Sequence, residues 1–189
     1  MGWKMSENQK PLDERKDLAR KIFETCNLKG QFLLRSGVLR DEYFDKYLFE
    51  SNPQLLREIA LAMSQLLPAD VDALAGLELG SIPLATAISQ VTNLPTLFVR
   101  KKAKEYGTCK IVEGGEISGR KLVIIEDVID TGAQIRESAK ELRELGGNIL
   151  RVIVVINRES GGAENLAMDE LELGTLFTVS ELEEASKTM

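Results

Sequence analysis

Two acidic residues followed by a threonine–glycine turn are the side chains best suited to chemistry in this chain. Four apolar residues, 122–125, precede Glu126 and Asp127, and the following residues turn into a predicted helix: Asp130, Thr131, Gly132, Ala133 and Gln134. Such a turn offers free backbone N–H groups, a hydroxyl and the positive end of a helix dipole, which together bind a phosphate dianion. The two acids can accept hydrogen bonds from sugar hydroxyls. The pattern indicates a ribose 5-phosphate site; a strand–turn–helix corner with solvated acids is the alternative.

A cluster of cations follows another predicted strand, residues 96–99. Arg100, Lys101, Lys102 and Lys104 place four positive charges within five residues of a chain whose net charge is −6. Arginine and lysine neutralise the charge that builds on a leaving diphosphate, so the cluster is typical of a diphosphate clamp. The glycine-rich stretch 107–119 could close over a reacting centre as a lid. A solvated basic loop is the alternative interpretation.

Composition excludes several classes of protein. The 189 residues contain no histidine, which excludes His-based metal sites and Ser-His or Cys-His nucleophiles. The acidic balance argues against a nucleic-acid partner, and no apolar run approaches the roughly 18–20 residues of a membrane span. Cys26 and Cys109 are expected to be free thiols in a reducing compartment. We expect a soluble, cytoplasmic protein without nucleic-acid or membrane partners.

The elements that position these residues alternate between strand and helix. Predicted strands at 73–76, 96–99, 121–125, 150–156 and 175–179 are separated by helical patterns at 83–91, 134–145 and 163–170. Near-continuous apolar strands of this kind predict an α/β fold with a doubly wound parallel sheet, which binds ligands at the carboxyl ends of its strands. A loose N-terminus (1–12) would precede a single domain (13–189) that starts with a helix at 13–25, strands at 31–34 and 43–49, and a helix at 53–67.

The segment 122–135 resembles the motif by which type I phosphoribosyltransferases bind PRPP (5-phosphoribosyl 1-diphosphate). The resemblance implies the fold of that family with a small N-terminal hood, here residues 28–50. It also implies that Glu126 and Asp127 hold the ribose 2- and 3-hydroxyls, and that residues from Asp130 to Gln134 hold the 5-phosphate. The implied reaction converts a nucleobase and PRPP into a nucleoside 5′-monophosphate and diphosphate. Mg²⁺ is the implied cofactor, held mainly by PRPP, with Asp127 as its one candidate protein contact.

The cationic segment indicates which enzymes of this family the chain resembles most. Residues 98–108, followed by 112–114, are similar to the catalytic loop of orotate phosphoribosyltransferases, which implies catalytic contacts to PRPP from Arg100, Lys101 and Lys104. In that family the loop often reaches the neighbouring subunit, which implies a homodimer with the loop acting in trans. Tyr106 stands where the family usually has histidine. The segment 75–85 resembles the family's diphosphate-binding loop, which assigns PRPP contacts to Glu78, Leu79 and Gly80.

The N-terminal part resembles the hood of the same enzymes, although Arg40 stands where the family usually has serine. Arg35 occupies the place of a base-binding lysine found in some members, and Tyr43 and Phe44 could stack on a flat heterocycle. Arg158 matches the family arginine that pairs with the base, and a cation there suits the carboxylate of orotate. Core packing of the two aromatic residues and a surface role for the arginine are the alternatives.

Asp130 departs from the orotate enzymes, which usually carry threonine at this position. It resembles the aspartate of hypoxanthine-guanine phosphoribosyltransferases, where this residue faces N7 of the purine and exchanges its proton. A carboxylate close to the orotate carboxylate would be repulsive. We expect an orotate phosphoribosyltransferase. The alternatives are a purine enzyme with Asp130 as catalytic base and a non-catalytic regulator that senses PRPP or a nucleotide.

Overall fold

A computed structural model describes residues 10–33, 37–102 and 110–187. The first elements are α1 (Lys10–Cys26), β1 (Asn27–Leu33), β2 (Leu39–Phe44), α2 (Tyr47–Ser51) and α3 (Pro53–Ser64). They are followed by β3 (Ala73–Leu77), α4 (Ser81–Thr92), β4 (Thr96–Val99), β5 (Val112–Glu113) and β6 (Lys121–Ile129). The last are α5 (Ala133–Glu144), β7 (Asn148–Asn157), α6 (Gly162–Ala167), β8 (Leu173–Thr178) and α7 (Val179–Lys187).

Six strands of the described chain form one sheet in the order β5-β4-β3-β6-β7-β8. All neighbours run parallel except the short edge strand β5, which pairs antiparallel with β4. The chain leaves β3 toward one edge and β6 toward the other, so the order reverses between these two central strands. Ligands of doubly wound sheets bind at such a reversal, beyond the carboxyl ends of the strands.

The sheet is buried on both faces, as its apolar strands predict. Val123 and Ile125 of β6 belong to a core that also contains side chains of α1, α3, α4 and α7. Their neighbours Leu122 and Ile124 point the other way, into a core that contains side chains of α5 and α6. Successive residues of a strand face opposite sides, so a continuous apolar run requires this double covering. The predicted doubly wound fold is confirmed.

The N-terminal hood is a small antiparallel unit. β1 and β2 pair with each other, with Leu28 opposite Tyr43, and most of their side chains are exposed. The predicted strand 43–49 is wrong beyond Phe44, because the chain turns there into helix α2. Asn52 then begins the next helix, since its side chain accepts the N–H groups of Gln54 and Leu55 at 3.1 Å.

Three further boundaries differ from the sequence prediction. Strand β6 does not end at residue 125: it continues to Ile129 because Val128 and Ile129 still pair with β7. The predicted strand 175–179 ends at Thr178, and helix α7 follows it. Helix α1 begins at Lys10, ahead of the predicted start at residue 13. None of the helices in the described ranges has the length and apolar character required to cross a bilayer.

Cys26 is the one cysteine inside the described part of the chain. It is a free thiol at the end of α1 and is fully buried in the core. Burial raises the pKa of this thiol to about 12, so it stays protonated and unreactive at neutral pH. Cys109 lies outside the described residues.

Candidate active site

The loop after β3 and the end of β6 meet at the reversal point of the sheet. Gly80 packs directly on Asp127, because a Cβ atom added to this glycine would lie 1.9 Å from Asp127 Oδ2 and 2.9 Å from Glu50 Oε1. Ser81 supports the same contact, since its hydroxyl accepts the Asp127 N–H at 3.2 Å. The backbone can approach the carboxylate this closely only because residue 80 has no side chain. Two of the predicted PRPP-binding segments therefore touch each other.

Asp127 is completely buried and lies beside a lysine from the hood. The Nζ atom of Lys46 is 2.6 Å from Asp127 Oδ2, while Oδ1 accepts the Val128 N–H at 2.5 Å. Although burial alone would raise it, hydrogen bonds from Glu126 and Lys46 lower the pKa of Asp127. The same ion pair raises the pKa of Lys46 against the opposing effect of burial. The pair is thus fully charged at neutral pH.

Two more carboxyl groups adjoin this ion pair. Burial raises the pKa of Glu50 to about 8, and its hydrogen bond to Asp127 adds to the effect. Burial and the neighbouring charge of Asp127 also raise the pKa of Glu126 well above its ordinary value. Like charges this close cannot all ionise in a buried site. At neutral pH Asp127 is therefore the charged member of the cluster, and Glu50 is mostly protonated.

Replacing Glu50 by glutamine is expected to make the stability of the protein less sensitive to pH. The folded state binds a proton on Glu50 between its ordinary pKa of 4.5 and about 8, so the free energy of unfolding falls as pH rises through this window. Glu50→Gln removes that proton uptake. Between pH 5 and 8 the free energy of unfolding should fall by about 1–3 kcal/mol less in the variant than in the parent.

Urea unfolding of both proteins at pH 5 and pH 8 measures this difference. Glu24→Gln is the matched control, because Glu24 lies on the surface of α1 in an ion pair with Arg20. Equal losses of stability for the parent and Glu50→Gln would show that Glu50 ionises normally in the folded protein.

The predicted 5-phosphate segment forms the turn between β6 and α5. Gly132 has φ 77°, in the left-handed region that glycine adopts without strain, and α5 begins at Ala133. Asp130, Thr131, Ala133 and Gln134 are exposed at the mouth of this turn. The first N–H groups of α5 have no partner within the helix, so they and the helix dipole face the space where an anion would bind.

The two predicted diphosphate segments are also joined. The Glu78 carboxylate accepts the backbone N–H of Lys101 at 3.0 Å, and the Glu78 N–H donates to Val99 O at 2.8 Å. Leu79 is exposed, and the Glu78–Leu79 peptide bond is cis. Arg100 follows β4 and is partly buried. The loop after β3 and the start of the basic loop therefore form one continuous surface at the carboxyl edge of the sheet.

A cleft of about 400 Å³ lies between the hood and the carboxyl ends of β6 and β7. It brings together three predicted residues, Phe44, Asp130 and Arg158. The Arg158 N–H donates to Ile129 O at 3.0 Å, which places the arginine next to the phosphate turn. The cleft has an apolar aromatic wall, one arginine and three carboxyl side chains, Asp130 among them, and it adjoins the predicted ribose site. Its dimensions suit a flat heterocycle, and Arg158 is the cation of this lining that can pair with a carboxylate.

One further predicted base-binding residue, Tyr43, can be located in the structure. Tyr43 stacks on Phe32 within the hood, with ring centroids 5.5 Å apart, and is not among the residues that line the cleft. Arg35 and Lys104, and also Tyr106, lie outside the described residues.

Sequence reasoning missed several residues of the site. It assigned no role to Lys46, and it left Glu50 beyond the end of a predicted strand where the structure has helix α2. It also missed the cleft residues Asn27, Glu42 and Glu183. One feature of the sequence could have indicated a role for Lys46. This lysine directly follows the aromatic residues of the hood, in an acidic chain that offers many anionic partners. Glu183 could not be found in the same way, because it lies on α7, a helix that was not predicted.

A protein-held metal is not favoured by this geometry. In the three described ranges, no group of three or more His, Cys, Asp or Glu side chains is arranged to hold a metal ion. Asp127 Oδ1 accepts a backbone N–H, whereas Oδ2 faces Lys46 in an ion pair and has no hydrogen-bond partner within the described residues. The acidic cluster already contains a cation. Asp127 thus stays a candidate metal contact as predicted.

A family model of the phosphoribosyl transferase domain matches residues 49–173, which is more than half of the sequence. The chain belongs to the phosphoribosyltransferase family. Its relatives include an orotate phosphoribosyltransferase of Nocardioides sp., 49% identical over 168 residues that cover 89% of this chain and 94% of that one. The orotate phosphoribosyltransferase of Methanocaldococcus jannaschii is 40% identical over 158 residues, covering 84% and 90%.

A solved structure supports the same placement. The orotate phosphoribosyltransferase of Mycobacterium tuberculosis in complex with PRPP has a TM-score of 0.78 and 25% identity, covering 90% of this chain and 99% of that one. The predicted family is confirmed by these comparisons.

Proposed function

We propose that this protein is an orotate phosphoribosyltransferase, which converts orotate and PRPP into orotidine 5′-monophosphate and diphosphate in pyrimidine nucleotide biosynthesis. The observation that carries the proposal is the cleft that joins Phe44 and Arg158 to the phosphate turn. Its arginine matches the carboxylate of orotate in charge and geometry. The named function of the relatives, at up to 49% identity in the examples given, agrees with this substrate.

Different groups of residues bind the different parts of PRPP. The N-terminus of α5 and the turn 130–134 hold the 5-phosphate, and Glu126 and Asp127 hold the ribose hydroxyls. The loop 78–80, together with Arg100 and Lys101, holds the diphosphate, and Lys104 belongs to the same proposal. We infer that PRPP bound in this way has its ribose C1 atom beside the base cleft.

Catalysis is then mostly electrostatic. The bond between ribose C1 and the diphosphate oxygen breaks, and the ribose gains oxocarbenium character. A ring nitrogen of orotate forms the new bond to C1 while its N–H bond breaks and the proton passes to the departing diphosphate. The negative charge that develops on diphosphate is stabilised by Arg100, Lys101 and Lys104. Mg²⁺, which would arrive with PRPP, would supply further positive charge to the leaving diphosphate.

A homodimer with the basic loop acting in trans is part of the proposal. Leu33 and Leu39 of the hood are 72% and 64% exposed, and clustered exposed apolar side chains mark interaction surfaces. Sedimentation velocity measures the oligomeric state. A cytoplasmic location stays a prediction.

Initial rates with PRPP and Mg²⁺ test the function directly, with orotate, hypoxanthine, guanine and uracil as competing bases. Turnover of orotate with little turnover of the others is the expected result. Preference for hypoxanthine or guanine would instead support a purine enzyme that uses Asp130 as base. Binding of PRPP without turnover of any base would support a regulator.

Replacing Asp130 by asparagine is expected to lower the KM for orotate about fivefold with little change in kcat. Asp130 and Arg158 line the same cleft, so the aspartate repels the carboxylate that the arginine attracts. Repulsion between such exposed charges is worth about 1 kcal/mol, which is about a fivefold change in affinity. Steady-state kinetics with varied orotate measure the change, and Asp41→Asn, which neutralises an exposed carboxylate of β2 outside the cleft lining, is the control. A loss of kcat with orotate would mean that Asp130 takes part in proton transfer.

A further inference from the structure

Lys46 connects two parts of the molecule that must cooperate. It stands between β2 and α2, two residues after the cleft residue Phe44, at the end of the hood. Its Nζ atom reaches across to the central sheet and lies 2.6 Å from Asp127 Oδ2. The Lys46 side chain is 33% exposed, whereas the Asp127 side chain is fully buried. The lysine therefore stands between the buried carboxylate and the open crevice.

The surroundings of Asp127 supply one cation. Glu50 and Glu126 are the other ionisable groups against it, and both are acids. Gly80 closes the remaining side so tightly that even a methyl group would overlap Oδ2. Among the described residues, no other lysine or arginine forms an ion pair with Asp127. Within this part of the chain, Lys46 is therefore the cation that links the buried carboxylate to the hood.

We propose that Lys46 is a positioning residue for PRPP: its ion pair with Asp127 fixes the end of the hood to the carboxyl end of β6, and this sets the distance between the hood and the PRPP site. This inference rests on the proposed function. A contact between two charged partners is shorter and stronger than a neutral one, so it holds the two segments more firmly than an uncharged side chain at position 46 would. Lys46 acts through Asp127 rather than on the reacting atoms.

Four variants test the proposal. Lys46→Met removes the charge, Lys46→Gln keeps a hydrogen-bond donor without the charge, and Lys46→Arg keeps both. Lys21→Met is the matched control, because Lys21 bridges Asp17 and Glu58 at 2.9 Å on the helical layer, away from the crevice. Thermal unfolding identifies any variant that does not fold.

The expected result is a rise in the KM for PRPP of at least about tenfold for Lys46→Met and Lys46→Gln, since a hydrogen bond to a charged group is worth this much. Lys46→Arg should stay within about threefold of the parent, because it preserves the charge. Lys21→Met should match the parent in both kinetic constants. A purely structural role would change stability without separating the arginine variant from the glutamine variant in their KM for PRPP.

Two results would overturn the proposal: a folded Lys46→Gln with an unchanged KM for PRPP, or a folded Lys46→Arg that is no better than Lys46→Gln. If the methionine variant fails to fold, the glutamine and arginine variants still decide. Calorimetric titration with PRPP and Mg²⁺ separates this test from the proposed function. A parent protein that binds PRPP but does not use orotate would contradict the function alone, and the lysine variants would still be ranked by their affinity for PRPP.

Discussion

Replacing Gly80 by alanine is expected to lower kcat/KM for PRPP by at least about 100-fold, the cost of displacing a catalytic group by about 1 Å. Residue 80 has φ −61° and ψ −33°, which alanine adopts freely, so the backbone itself gives no reason for a loss. The new methyl group, however, would lie 1.9 Å from Asp127 Oδ2. Either the loop 78–80 or the carboxylate must move, and both belong to the PRPP site. Steady-state kinetics with varied PRPP measure the loss.

Two further variants test this reason. Thr86→Ala changes an exposed side chain of α4, the helix that follows the same loop, and should remain close to the parent. An Asp127→Ala variant has no carboxylate for the new methyl group to clash with. Adding Gly80→Ala to that variant should therefore lower the free energy of unfolding less than adding it to the parent. An equal cost in both backgrounds would place the origin of the effect outside the Asp127 contact. A Gly80→Ala variant with normal kinetics would mean that the loop can adjust without harm.

The second large effect is expected at Arg158. Replacing it by alanine should lower kcat/KM for orotate by about 10- to 100-fold, because a hydrogen-bonded pair with a charged group is worth about 1.5–3 kcal/mol. Arg158 is the one arginine or lysine lining the cleft between the hood and the sheet within the described residues. The loss should appear mainly in the KM for orotate, which varied orotate at saturating PRPP measures.

The controls for Arg158 separate charge from shape. Arg158→Lys keeps the charge but not the planar fork that matches a carboxylate, so it should be intermediate. Arg57→Ala removes an exposed arginine of α3, outside the cleft lining, and should be neutral. A normal KM for orotate in Arg158→Ala would remove this arginine from base recognition and would favour Arg35 in that role.

Much of the PRPP site could be predicted because its signals are local. The turn 130–134 follows a continuous apolar run and precedes a helical pattern. An apolar run that ends at a glycine turn before a helix is compatible with few structures other than a buried strand of an α/β sheet. The same logic located the loop at Glu78 and the start of the basic loop. Placing them all at one edge then required only that parallel strands end on the same side of the sheet.

The contacts between distant segments could not be predicted. Lys46 and Glu50 reach Asp127 from about eighty residues away along the chain, and no periodicity encodes that meeting. The segment 43–49 is rich in aromatic residues, which favour strands. Its second half is nevertheless a helix, because tertiary packing buries Phe49 there. Helix α7 was missed because its polar surface dominates the pattern, and Leu182 is its one fully buried side chain.

The hydrogen bond from the Lys101 N–H to the Glu78 carboxylate has a thermodynamic consequence for the two loops it joins. A loop that must become ordered when its ligand arrives opposes binding by the conformational entropy of each residue that is fixed, about 1–2 kcal/mol per residue. The two segments are fixed to each other before any diphosphate is present. Their ordering entropy is therefore lost during folding, and a larger part of the enthalpy of each phosphate contact remains available as affinity.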